Sequence, residues 1–166
     1  MPQFSWTAEK VPEGMEIRQV YCIMLDRQGR VMLRVEKKPD GIRYSLAGGR
    51  PEPSDQGIRD TCRRELLEEV NTETEPPVYI GYQSVDEGNG TPVYAQVRMA
   101  AMIRTIGKKR PDPDNGKTYD RYMASPERAA ELLNWGEAGF RQIMAAKDEV
   151  YKRYGIERAG EAEEWV

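Results

Sequence analysis

The chain has 166 residues, of which 39% are hydrophobic and 32% charged, with a net charge of −3. That balance fits one domain, over residues 1–166, around a single core, and the missing basic excess argues against a nucleic-acid duplex or an anionic membrane as partner. There is no histidine, which excludes Ser-His-Asp hydrolysis, Cys-His chemistry, His-ligated zinc and phosphohistidine intermediates.

In chain order, residues 1–14 read as irregular, with Pro2, Pro12 and Gly14. The opening Met1-Pro2-Gln3-Phe4-Ser5-Trp6 lacks a basic n-region and an apolar h-region, so no signal peptide is expected. No run of about 18 apolar residues suggests a membrane span. A cytoplasmic location is the resulting expectation. Met15 to Leu25 is rich in strand formers, Asp26-Arg27-Gln28-Gly29 is a turn, and Arg30 to Glu36 completes a hairpin. Lys37 to Arg43 reads as a polar loop and Tyr44-Ser45-Leu46 as a short strand. The glycine turn Ala47-Gly48-Gly49 follows, then a helix from Asp55 or Gly57 to Val70. Strands are expected over Val78–Val85, Pro92–Ile106 and Thr118–Met123. The stretch from Gly107 to Gly116 is a Pro-, Asp- and Lys-rich loop. Ser125-Pro126-Glu127 starts a short helix through Leu133, with Ser125 as N-cap and proline at its first position. Trp135 is expected in the core. A longer helix covers Glu137–Tyr154, and 155–166 is an acidic, frayed tail. Mixed strands with helices on opposite faces make an α/β fold, a three-layer α/β/α sandwich with a mixed sheet. Cys22 and Cys62 lack metal-like spacing and read as buried thiols.

The first helix carries the chemistry. With Ile58 at zero, Cys62 falls at about 40°, Leu66 at about 80° and Val70 at about 120°, an apolar stripe. Glu69 falls at about 20°, inside that stripe, Glu65 at about 340°, on its edge, and Glu68 at about 280°. Buried unpaired carboxylates are costly. The helix C-terminus disfavours Glu68 and Glu69 further, and the i, i+4 repulsion of Glu65 and Glu69 adds a little more. A hard divalent cation relieves all three penalties.

The run from Gly48-Gly49 through Arg64-Glu65-Leu66-Leu67-Glu68-Glu69 resembles the motif of the Nudix hydrolase family. Three positions depart from it. Asp55 stands where the family has Glu, with one extra residue before Arg64. Asn71 replaces a glycine, and Thr72 an apolar residue. Asn is the next-best left-handed helix stop after Gly. The Asp55 spacing, with Thr61, is similar to the box of coenzyme A pyrophosphatase-type members, although their additional upstream motif is not evident before Gly48.

The resemblance implies a Nudix-type fold and hydrolysis of a nucleoside diphosphate linked to another moiety, with Mg²⁺ or Mn²⁺ as cofactor. It implies Glu65, Glu68, Glu69 and the carbonyl of Gly49 as metal ligands, and Glu68, Arg64 and Glu65 as catalytic residues. Glu68 stays open between ligand and base. Asp55 and Glu52 are the supporting carboxylates around the ligands. Lys37, Arg50, Lys117 and Arg121 are candidate phosphate contacts. A further acid is sought among Glu87, Asp112, Asp114 and Asp120. Tyr44, Tyr82, Tyr94, Tyr119 and Tyr122 are candidates for stacking a base. The partner implied is a nucleotide-derived small molecule, with a homodimer left open. The alternative activity is a Nudix-like module that binds a nucleotide or partner without hydrolysis.

Overall fold

The computed structural model describes residues 1–166. Ten strands and three helices follow in the order β1 (Gln3–Thr7), β2 (Ile17–Leu25), β3 (Val31–Lys38), β4 (Gly41–Ser45), β5 (Ala47–Gly49), α1 (Ile58–Val70), β6 (Thr72–Thr74), β7 (Val78–Asp86), β8 (Tyr94–Ile106), β9 (Asp120–Ala124), α2 (Pro126–Leu133), α3 (Gly136–Tyr154) and β10 (Glu164–Trp165). The main sheet runs β1-β7-β8-β2-β3-β9-β10, with β4 on β3, β5 on β2 and β6 on β8. The β2–β8 pair is parallel and the other pairs are antiparallel, so the sheet is mixed.

Strand alternation divides the core into two layers, because successive side chains point to opposite faces. Val20, Cys22 and Met24 of β2, with Val97, Met99 and Ala101 of β8, pack against Cys62, Leu66 and Val70 of α1. Ile23 and Leu25 of β2, with Ala100 and Met102 of β8, pack against Ala129 and Leu133 of α2 and Ile143, Ala146 and Val150 of α3. The result is the α/β/α sandwich, with α1 alone on one face. Cys22 and Cys62 are buried, free thiols.

Three expectations are corrected. Residues 1–14 are not wholly irregular: Gln3–Thr7 pairs antiparallel with β7, with Phe4 opposite Val85. The tail is tied down as well. Glu164 and Trp165 pair with Met123 and Tyr122, and Gly160 N–H donates to the Gln28 carbonyl at 2.6 Å. Lys37 to Arg43 is no open loop but the tip of a hairpin in which Lys38 faces Gly41. In each case a partner remote in sequence, or a tight turn at Pro39-Asp40, supplies ladder bonds that local composition does not announce. Strand β6 was not expected. It pairs with the far end of β8, immediately after α1 stops at Asn71, whose φ of 46° and ψ of 51° are left-handed.

Strands β2 and β3 are hydrogen-bonded only beside their connecting turn, at Met24–Met32 and Leu25–Val31. Beyond that point β2 turns to β5 and β3 to β4. The gap between them positions the site.

Leu66 is 1% exposed at the centre of the α1 layer. Leu66→Ala is expected to cost about 2–5 kcal/mol in denaturant unfolding. Phe140→Ala, on an exposed side chain of α3, should stay within about 0.5 kcal/mol.

Candidate active site

Helix α1 begins after Gly57, whose φ of 103° lies in the region that favours glycine. No side chain caps it there. The preceding loop instead folds onto Arg64. Asp55 accepts two bonds from that guanidinium, 3.1 Å from Nε to Oδ1 and 2.9 Å from Nη2 to Oδ2. It also accepts the Glu52 N–H at 2.9 Å and the Thr61 hydroxyl at 2.8 Å. The Arg64 bonds, then these two, hold the Asp55 carboxyl well below the usual range. Arg64 Nη1 donates to Glu65 at 2.9 Å and to Glu68 at 3.2 Å. Its Nη2 also reaches the carbonyl of Arg50 at 2.8 Å, and Glu52 Oε2 lies 3.4 Å from Nε. One guanidinium therefore holds four carboxylates and the backbone of the glycine turn.

The glutamates divide into two groups. Oxygens of Glu65 and Glu68 lie within 4.8 Å of one another and of a carboxylate oxygen of Asp114. Glu69 is turned away from them. Its Oε1 accepts the Gly48 N–H at 2.8 Å and its Oε2 the Arg34 Nη1 at 2.6 Å. Glu69 bonds to the glycine turn and to β3, and its oxygens lie outside the group formed by Glu65, Glu68 and Asp114. Its buried oxygens need fixed donors, and these two supply them.

Glu65 is 7% exposed. Burial, joined by repulsion from Glu69 and Glu68, outweighs its bond to Arg64 and pushes it up to about 7. Glu68 and Glu69 are also raised, chiefly by burial. Gly49 lies against this carboxylate: a methyl group there would come within 2.5 Å of Glu65 Oε1. Three hard oxygen donors, one of them costly to ionise alone, fit a divalent cation of the Mg²⁺ or Mn²⁺ type.

Asp114 comes from the loop after β8. Its N–H donates to the buried Asp112 carboxylate at 2.9 Å, an Asx-turn that turns Asp112 inward and leaves Asp114 free. The loop is pinned by Tyr119, whose ring lies 4.3 Å beneath the Arg34 guanidinium. Of the other acids considered for this role, Glu87 accepts the Tyr94 hydroxyl and Asp120 pairs with Lys109 and Lys37.

The expected phosphate contacts do not converge. Arg121 is 4% exposed and donates to the carbonyls of Val70, Gly107 and Val166 at 2.8, 2.6 and 3.2 Å. It closes the C-terminal end of α1, where a cation is favoured, and burial pushes its pKa down. Its Nε and Nη1 donors are thereby spent on the chain's own carbonyls. Lys37 pairs with Asp120 at 3.7 Å and stands over Trp165, and Lys117 pairs with Glu36 at 2.8 Å. Arg50 is exposed, beside the turn that Arg64 grips.

A cavity of about 520 Å³ opens where β2 and β3 separate, with Tyr21, Arg34 and Leu46 in its wall. Arg98 and Trp135 also line it. Trp135 is 38% exposed, against its expected burial, because the left-handed Asn134 ends α2 just before it. Tyr21 links cavity and box. Burial raises its hydroxyl pKa, and the charges of Arg98, Arg34, Glu69 and Glu65 all act on it. Arg34 and Arg98 were not expected at the site, since an arginine inside a strand is ordinarily a solvated side chain. An isolated charge amid the apolar run Val97–Ile103 was the one available signal.

A model of the NUDIX domain matches residues 15–148, so the chain belongs to the Nudix family. No curated protein matches it significantly. Among solved structures it is similar to the Bacillus subtilis pyrophosphohydrolase BsRppH, with a TM-score of 0.67 and 16% identity over 88% of this chain and 90% of that one. It is also similar to a NUDIX hydrolase from Nitrosomonas europaea, with a TM-score of 0.58 and 18% identity over 81% and 90%. The E. coli ORF135 protein gives 0.56 and 19% over 89% and 98%. At such identities these likenesses show a shared fold.

The raised pKa of Glu65 has a signed consequence for the metal-free protein. The folded state holds this proton more tightly than the unfolded chain. The stability it contributes is full below the ordinary value of 4.5 and lost as pH rises to about 7. In EDTA, Glu65→Gln should therefore melt above the wild type at pH 8, with the difference vanishing near pH 4. Differential scanning calorimetry across that range checks it.

Proposed function

We propose that the protein hydrolyses a pyrophosphate bond in a nucleoside diphosphate derivative, with Mg²⁺ or Mn²⁺ held by Glu65, Glu68 and Asp114. The observation that carries this reading is the convergence of those three carboxylates on one point beside the glycine turn. Membership in the Nudix family supports it, as does likeness to a protein named a pyrophosphohydrolase. A bound divalent ion neutralises phosphate charge and lowers the pKa of water.

The chain's own residues supply the rest. Arg64 fixes the geometry of Glu65 and Glu68 through one nitrogen and is itself held by Asp55. Glu68 is the most exposed of the three box glutamates, with a side chain 21% accessible. In this reading it takes the proton as water attacks phosphorus and the bond to the leaving phosphate breaks. Gly49 lets the backbone approach Glu65 closely and offers its carbonyl as a further ligand. Glu69 acts as a positioning residue, tying the glycine turn and Arg34 to the helix. Asp55 and Glu52 act through Arg64.

Nothing in the site favours the non-hydrolytic alternative, since the acids that a cation requires are all in place. No helix is long and apolar enough to cross a membrane, and the reading needs only a small-molecule substrate in the cytoplasm. Dimerisation plays no part in it.

Chromatographic detection of the phosphate-ester products formed from ADP-ribose, coenzyme A, nucleotide sugars, dinucleoside polyphosphates and modified nucleoside triphosphates tests the proposal. Hydrolysis of one class should require Mg²⁺ or Mn²⁺ and cease in EDTA. Activity that persists after exhaustive chelation would sink it. Glu65→Gln and Asp114→Asn should each reduce kcat strongly. Asp55→Asn should reduce it less, by about 10–100-fold, because it acts through Arg64. The same metal should raise Tm of the wild type but not of Glu65→Gln.

A further inference from the structure

Arg98 is 2% exposed and has no carboxylate partner. Its Nε donates to Gln142 Oε1 at 2.8 Å and its Nη1 to the Gln96 carbonyl at 3.3 Å. The ring of Tyr21 lies 4.9 Å from the guanidinium centre and that of Trp135 at 5.7 Å. Nη2 makes no protein hydrogen bond, and Arg98 lines the cavity beside the box. A buried cation with an unspent donor and no counter-ion is costly unless a ligand completes it.

The glutamines around it are oriented by a single fact: arginine can only donate. Gln142 must present its oxygen to Arg98. Its Nε2 then donates to Gln83 Oε1 at 2.9 Å, and Gln83 Nε2 donates to Gln96 Oε1 at 3.1 Å. Each side-chain carbonyl in the relay is thereby used. Ser45, also in the wall, already accepts from Arg34 Nε at 3.0 Å. No Asp or Glu lines the cavity. What the side chains offer a ligand is mainly donors, from Arg98 and the Gln96 amide inside and from Arg43 at the exposed rim, next to the partly exposed Trp135.

Resting on the hydrolase reading above, we propose that this cavity receives the base of the substrate and that Arg98 selects a 6-oxopurine over adenine. Guanine and hypoxanthine present two adjacent acceptors, O6 and N7, which a guanidinium matches as a pair. Adenine presents N7 beside an N6 amino donor, which would face the Arg98 donors. Trp135 supplies a stacking surface that any base accepts, so choice among purines falls to Arg98. Arg34 joins the two halves of the site. It lines the cavity and is bound to Glu69 of the box, which places the base on the cavity side and the phosphates towards Glu65 and Glu68.

Calorimetric titration of the full chain with GMP, IMP and AMP tests this without requiring turnover. GMP and IMP should bind alike, and each tighter than AMP by about tenfold or more. Arg98→Lys retains the charge but not the fork, and should bring the three affinities together. Should that variant not fold, Trp135→Ala, at a position already 38% exposed, should weaken GMP and IMP alike. Equal affinity for GMP and AMP in the wild type would overturn the proposal, and so would a Trp135→Ala protein that binds GMP normally. Its failure is distinct from that of the hydrolase reading. Equal binding with intact hydrolysis removes only the base preference, whereas GMP preference without hydrolysis of any substrate removes only the activity.

Discussion

The site depends on one guanidinium. Arg64 touches Asp55, Glu65, Glu68 and Glu52 and the carbonyl of Arg50. Without it the helix would bring several carboxylates together at its unfavourable end with no cation in contact. Removing one partner from such a set leaves charges buried and unpaired, which costs far more than the pair itself contributes. The loop before α1 completes this arrangement through Asp55. Asp55 meets Arg64 through two nitrogens while also accepting the Glu52 N–H and the Thr61 hydroxyl.

A second guanidinium does the same for Glu69. Arg34 binds it from β3 and rests on Tyr119, so the strand, the end of α1 and the loop bearing Asp114 meet at one residue. The arrangement explains why Glu69, although beside Glu65 on the helix, does not join the acidic cluster. Each of its oxygens accepts a bond from the chain, whereas of the Glu65 oxygens only Oε1 does.

The separation of β2 from β3 serves both halves of the site. The side strand β5 brings Gly48 and Gly49 to α1, and β4 extends the hairpin on the other side. Between them the cavity reaches Arg98, a charge buried by the same sheet that forms the core. Arg98 is costly to the apo fold, and burial pushes its pKa down to about 10.

The 3.6-residue period of α1 determined from sequence that Cys62, Leu66 and Val70 are buried and that Glu65 and Glu69 share their side. It did so because side-chain direction on a helix is a local property. Turn chemistry likewise indicated the left-handed stop at Asn71 and the capped start of α2 at Ser125. The glycine turn and the glutamate spacing were enough to place the chain in its family and to give the layer order. Tertiary structure alone decided which acid of the later loop joins Glu65 and Glu68, because Asp112 and Asp114 differ only in which one turns inward. It decided that Arg121 closes a helix end and that Trp135 faces a cavity. It also added the edge strands β1 and β10, whose hydrogen bonds go to partners far along the chain. The same holds for Arg34 and Arg98. Their roles are set by neighbours 35 and 44 residues away, and no local pattern records who those neighbours are.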